Sequence, residues 1–323
     1  MNLRIGWAQV GHVTPLLDVL VKRHPELFRH FGKSYIAQGV RFNGSTPQIE
    51  ALAVGELEIA ALAPSSFTLA VTNAHLDVRI VSDVIQDGKP GWYDEPFIVL
   101  KDGPIATIED IKGKRLATNA IGSASDNAMR IMLRKHGIQD KDFTTVETNF
   151  ATMLPMIAEG KVDLIGAMPQ FLDQIRRAGK YRTLYTAGEA RGPAETIAWA
   201  MRADFIAAHR PALIDFYEDH MRAMRWFLDP KNHAESVAIA AQVTKQKPDE
   251  LGYFFTHDDF YRSPDLMPNL GAAQGEIDDS VKLGILPQEI RLDPTYVDLS
   301  LVEEAGRRLA AKSPMRAGTD KAP

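Results

Sequence analysis

The residues best suited to chemistry lie in one short stretch. Residues 115–118 read as a strand and 119–124 as a small-residue loop, followed by a helix that Gly137 closes, with Met129, Met132, Leu133 and His136 on one face. Ser123 followed three residues later by Asp126 has the spacing of a capping box, which sets the unpaired N–H groups of the first turn beside Gly122 and Ser123. Donors at a helix N-terminus, reached from the carboxyl end of a strand, hold an anionic group. The same pattern also describes an ordinary capped helix whose Asp126 already occupies that position.

Reactive constellations of other kinds are missing. The sequence has no HExxH, no GxSxG and no phosphate-binding GxxxxGK motif. It has no cysteine, which removes thiol catalysis, disulfides and thiolate metal sites and leaves either redox compartment open. His257, Asp258 and Asp259 are clustered, but neighbours on an ordered element point different ways, so they read as a solvated helix end. No metal and no cofactor are expected. A net charge of −5, with no long basic run, gives no footprint for nucleic acid.

The elements that must position the loop follow from the chain order. A strand at 3–7 leads through 8–13 to Thr14 and Pro15, read as N-cap and first helical residue. A second strand falls at 35–42, and Ser45, Thr46 and Pro47 open a helix that runs to Gly55. Then come a strand at 57–62, the loop 63–66, and a helix from Phe67. Gly55, Glu58 and Pro64 recur as Gly160, Asp163 and Pro169 at a constant offset, since 160 − 55, 163 − 58 and 169 − 64 are all 105. Two similar α/β units account for this. Between them lie strand-like runs at 78–85 and 97–100, which suit one crossing, with a return near 196–201. Helices are expected at 211–228, 232–243, 248–255, 268–283 and 299–310, then a disordered tail over 312–323.

At 323 residues the chain is long enough for two domains. No apolar run approaches the roughly 20 residues of a membrane span. Residues 1–7 show no basic segment ahead of an apolar one, so the protein is expected to be periplasmic with an export signal outside this sequence, or else cytoplasmic.

The segments PQIEALAVGELEIAALAPSSF (47–67), TIEDIKGKRLATNAIGSASDNAMRIMLRKHGI (107–138) and MIAEGKVDLIGAMPQF (156–171) resemble the type II substrate-binding proteins of ABC importers, in the sulfonate, taurine and nitrate branch. The resemblance covers about residues 3–310. It implies an α/β fold of two similar lobes, each a mixed sheet flanked by helices, joined by two hinge strands, with C-terminal helices returning to lobe one. Lobe one would take 1–88 and 198–311, and lobe two 89–197.

The resemblance also implies a pocket lined by loops after the lobe strands: Gln9, Gly11 and His12; Pro64, Ser65 and Ser66; Asn119, Gly122, Ser123 and Ser125; Met168 and Gln170. Trp92 and Tyr93 would lie near the cleft, stacking on a planar ligand or packing the hinge. His12 and Arg191 are candidate donors to an anion, each with a surface role as the alternative. Glu195 would matter for a ligand carrying an amine. The function expected is a monomeric solute-binding component that captures a sulfonate or aromatic carboxylate for a membrane permease and its ATPase. The alternative is a cytosolic decarboxylase-like or dehydratase-like enzyme on the same fold, with His12 as base. A transcription-regulator effector domain would need a helix-turn-helix ahead of the first strand.

Overall fold

In the computed structural model, which describes residues 1–312, the chain opens with β1 (Asn2–Trp7), α1 (Thr14–Arg23), β2 (Ile36–Arg41), α2 (Pro47–Ala53), β3 (Ala60–Leu62) and α3 (Pro64–Thr72). β1 runs parallel to β2, and on its other side Ile5 bridges Ile59 just ahead of β3, so the strand order is 2-1-3. After β4 (Val78–Asp87) and β5 (Pro96–Leu100) the motif returns as β6 (Arg115–Thr118), α4 (Ala124–Lys135), β7 (Thr144–Glu147), α5 (Phe150–Ala158), β8 (Ile165–Gly166) and α6 (Pro169–Ala178). β6 is parallel to β7, and Leu116 bridges Leu164, giving order 7-6-8.

The offset of 105 residues is therefore a repeated structure, and its fastener repeats too. Arg4 on β1 gives its backbone and side-chain N–H groups to Glu58 and reaches the Gly55 carbonyl. Arg115 on β6 does the same to Asp163 and the Gly160 carbonyl. Gly55 and Gly160 hold φ of 74° and 67°, the left-handed turn that ends each second helix and brings its carbonyl to the arginine.

The remaining strands complete both sheets. After β9 (Tyr181–Thr186) and α7 (Ala187–Arg191), β10 (Ala194–Arg202) inserts antiparallel between β3 and β4. β5 sits antiparallel between β8 and β9. Residues 194–201 of β10 are all buried, as a central strand covered on both faces requires. The chain thus passes between sheets at 88–95 and again at 187–193. The return expected at 196–201 lies earlier, because those residues already pair with β4.

α8 (Ala203–Leu228), α9 (His233–Thr244), α10 (Leu270–Lys282) and α11 (Ser300–Lys312) follow. α8 starts eight residues before the expected 211 and carries Pro211 inside it. Its buried face continues across the proline through Ile206, Leu213 and Ile214, which offsets one lost hydrogen bond. The helix expected at 248–255 is only a single turn at Pro248–Leu251. Thr14 is not the cap of α1: Val13 precedes the helix, without a side-chain cap, and Pro15 takes the second position. Trp199, Phe216, Tyr217 and Leu16 anchor one core, and Leu116, Ile131, Leu133 and Leu164 another. Among the described residues no helix is long and apolar enough to cross a membrane. The tail expected over 312–323 falls, from 313 on, outside the described residues.

Candidate functional site

The loops that follow the carboxyl ends of β1, β6 and β8 come together. A small cavity of about 30 Å³ lies where they meet, lined by Ala8, Gln9, His12, Gly44, Ser45, Glu95, Asn119, Ser123, Ala124, Ser125, Phe150, Met168, Thr196, Ile197 and Phe260. Ala8, Gln9 and Phe150 also border a second pocket of about 310 Å³, whose walls include Trp7, Arg41, Phe42, Gln170 and Phe171. A larger hollow, about 1350 Å³, is an open groove beside α2. None of its polar side chains is buried, so it has the character of a solvated seam.

Each strand end holds its residues by local bonds. After β1 the chain makes a tight turn whose Gly11 carbonyl accepts two N–H groups from the buried Arg262, at 3.1 and 2.8 Å. The turn ends at Val13 with φ 66°, a left-handed conformation costly for a β-branched residue, set directly after the cavity-lining His12. His12 Nδ1 accepts the Ala8 N–H at 3.4 Å, so its ring proton sits on Nε2. Burial, assisted by the charge of Arg262, pushes its pKa down to about 3 and keeps the ring neutral.

At α4 the expected capping box does not form. Ser123 Oγ donates to Asn119 Oδ1 at 2.8 Å rather than capping the helix, and Asp126 accepts from the Gly122 N–H and from Arg130. The first-turn N–H groups of α4 have no intrahelical acceptor, and Ala124 and Ser125 carry them to the cavity wall. Ser125 Oγ donates to Glu95, at 2.7 and 2.9 Å from its two oxygens. Burial raises the Glu95 pKa to about 7 against the lowering effects of Ser125 and Arg191.

Of the residues singled out in the sequence, Gln9, His12, Asn119, Ser123, Ser125 and Met168 line the inner cavity, and Gln170 lines the outer pocket. The others are engaged elsewhere. Ser65 and Ser66 both donate to the Gly122 carbonyl, at 3.1 and 2.8 Å, while Thr46 donates to the Ile121 carbonyl and Asn119 to that of Asn43. These bonds latch the 119–123 loop onto the first repeat. Gly122 has φ 79°, and a Cβ there would lie 3.2 Å from Leu69, so the approach needs glycine. Pro64 is buried at the start of α3 and Gly11 in its turn. Trp92 packs against His257 and meets Tyr261 edge-on, and Tyr93 donates to the Ala167 carbonyl, both as packing around the chain crossing. Arg191 is 1% exposed and pairs with Glu276 at 2.6 Å.

Sequence reasoning missed Glu95, Ser45, Thr196 and the apolar wall of Phe150, Ile197 and Phe260. It weighed Glu195, one residue from the group that matters: side chains alternate along β10, so Thr196 faces the cavity while Glu195 turns to Asn269 and Asp83. Glu95 had a legible signal, an acid directly before an apolar strand within the Gly- and Pro-rich 88–96 segment.

The sequence profile described as NMT1/THI5 like matches residues 40–233. The putative aliphatic sulfonates-binding protein of Escherichia coli (strain K12) is 30% identical over 163 residues, which cover 50% of this chain and 47% of that protein. The chain thus spans about half the length of that curated relative. The alkanesulfonate-binding protein SsuA from Xanthomonas axonopodis pv. citri, bound to MOPS, superposes with a TM-score of 0.69 at 22% identity, over 91% of this chain and 97% of that one. The periplasmic nitrate-binding protein NrtA from Synechocystis PCC 6803 gives 0.71 at 15% identity, over 95% and 89%. At these identities the likeness establishes the fold, a mixed α/β architecture shared with periplasmic binding proteins.

Proposed function

The chain belongs to the NMT1/THI5-like family, and from that premise we propose that it is the solute-binding component of an ABC importer, holding a small organic anion between two lobes. One observation carries this reading: both repeats send the loops at their strand ends to the same cavity, which is lined by Gln9, His12 and Ser45 from one and Asn119, Ser123 and Met168 from the other. Lobe one comprises 1–87 and 194–311 and lobe two 96–186, with the crossings at 88–95 and 187–193 between them. The bonds from Thr46, Ser65 and Ser66 to the 121–122 carbonyls fasten the closed form.

A sulfonate is favoured by the names of the relatives, and an aromatic carboxylate by the aromatic wall of the outer pocket. His12 and the N–H groups of α4 donate to the anion, while Phe150 and Phe260 supply the apolar side. The protein works as a periplasmic monomer, delivers its solute to a permease driven by a separate ATPase, and leaves the solute chemically intact. Thermal-shift screening against sulfonates, aromatic carboxylates and nitrate tests this, with mass spectrometry of each positive. A micromolar ligand at millimolar concentration adds about 4 kcal/mol to the folded state, a clear shift. Conversion of the bound compound, or no shift with any anion, refutes the assignment.

A further inference from the structure

Among the described residues that line the inner cavity, Glu95 is the one acid, and no arginine or lysine stands with it. Its main chain is pinned on both sides: the N–H donates to Asp87 at 3.2 Å and the carbonyl accepts the Ala187 N–H at 2.8 Å. Its carboxyl fills the place of the side chain that Gly166 on β8 lacks, where a Cβ would lie 2.2 Å from Oε1. It receives one hydrogen, from Ser125 Oγ, although a carboxylate accepts about four.

The groups around it do not supply a compensating charge. Arg191 on α7 acts on Glu95 from a distance, but its short ion pair goes to Glu276 on α10. Asp94 beside it and Asp87 on β4 add negative charge, while Tyr93 and Tyr185 are held uncharged by burial and His12 on the cavity wall is neutral. The other donors of the chamber are neutral too: the Thr196 hydroxyl, buried without a partner, and the first turn of α4 at Ala124 and Ser125. An anion drawn to these donors would lie near a buried carboxylate with no cation in the cavity wall, and two like charges do not both persist in a dry site. Burial already brings the Glu95 pKa to about 7 in the empty chain, so near neutrality the proton that resolves the conflict is cheaply taken up.

Resting on the solute-binding reading above, we propose that the chain takes up one proton with each anion it captures, and that Glu95 holds that proton. As a carboxylic acid the side chain keeps one oxygen for the Ser125 hydrogen and gives its own O–H to the anion, joining the α4 N–H groups, His12 and Thr196 as a neutral donor. The proton comes from solvent and returns there when the anion leaves. Anion and proton therefore strengthen each other's binding by the same factor. In alkali the empty site must be reprotonated before it fills.

Calorimetric titration with ethanesulfonate, benzenesulfonate and benzoate from pH 6 to 9, a range in which all three stay ionised, tests this. Wild-type affinity should fall about tenfold per pH unit above pH 7. Binding heats in two buffers of different ionisation enthalpy should show about one proton taken up per anion at pH 8. Glu95→Gln offers an N–H in place of the O–H and cannot ionise. It should bind with an affinity independent of pH, without proton uptake, and at pH 9 about 100-fold more tightly than wild type. Wild-type affinity that is level across the range, or a pH dependence that survives Glu95→Gln, overturns the assignment to Glu95 and leaves the solute-binding reading standing. Failure of the folded wild-type protein to bind any of the three anions at any pH overturns both.

Discussion

Replacing Glu95 by Gln should make the empty protein more stable in alkali while leaving it unchanged in acid. Burial raises the carboxyl from an ordinary 4.5 to about 7 in the folded chain, opposed by the Ser125 hydrogen bond and by Arg191 and assisted by the neighbouring Asp94. Below pH 4.5 the group is protonated in both states and contributes nothing. As the pH rises toward 7 the unfolded chain ionises first, so the folded state loses ground, by 7 − 4.5 = 2.5 units or about 3 kcal/mol in full. Glutamine keeps an acceptor for Ser125 and cannot ionise. For a chain of this length 3 kcal/mol corresponds to ~4 °C in Tm.

The assay is thermal unfolding of both proteins from pH 4 to 9, read as the difference between them. Asp83, raised to about 6, and the raised Glu195 and Glu276 push wild type and variant alike and cancel in that difference, whereas Asp87, raised in part by the charge of Glu95, is relieved in the variant and adds to the difference in the same direction. His12, Tyr93 and Tyr185 remain neutral across this range, the histidine pushed down to about 3 and both tyrosines raised well above their ordinary value. A difference that is flat with pH, or one that favours wild type above pH 7, refutes the reasoning.

Acid acts through a different group. His220 is stacked on Phe216 and packs at a tilt against Trp199, its Nδ1 lacks a partner, and burial lowers its pKa to about 3. Its stabilisation is intact above 6.5 and is lost as pH falls toward 3, a span of 3.5 units or about 5 kcal/mol. His220→Phe should move the acid unfolding midpoint to lower pH, and an unmoved midpoint would assign the acid sensitivity elsewhere. The triple change Thr46→Ala, Ser65→Ala, Ser66→Ala deletes three bonds across the latch at about 1 kcal/mol each, shifting the balance toward an open form about 100-fold. Small-angle scattering should show a larger radius of gyration and stopped flow a faster solute release; no change in either would mean that these hydroxyls do not hold the molecule shut.

The repeat was readable because its marks are obligatory. A glycine must end the helix in left-handed backbone, and an acid must meet the arginine of the neighbouring strand, so Gly55 with Glu58 and Gly160 with Asp163 stood out at one spacing. The loops at 9–12 and 119–125 were readable for a related reason, since each ends on a helix start. What the sequence hid was direction. Ser65, Ser66 and Gly122 look like ligand groups until the two repeats are brought together, when they satisfy one another. Arg191 looked free because its partner Glu276 lies 85 residues away on α10. The choice between Glu195 and Thr196 rested on strand register, which a single apolar run does not reveal.

The arginine fasteners and the cavity occupy opposite ends of the same strands. Arg4 and Arg115 brace the turns that lead into β3 and β8, while Gln9, Asn119 and Met168 follow the carboxyl ends of β1, β6 and β8. Architecture and taste are thereby separable in this chain: the rear of each repeat can stay constant while the front is rewritten for a new solute. Exchanging front loops between such proteins should transplant preference without disturbing the frame that carries it.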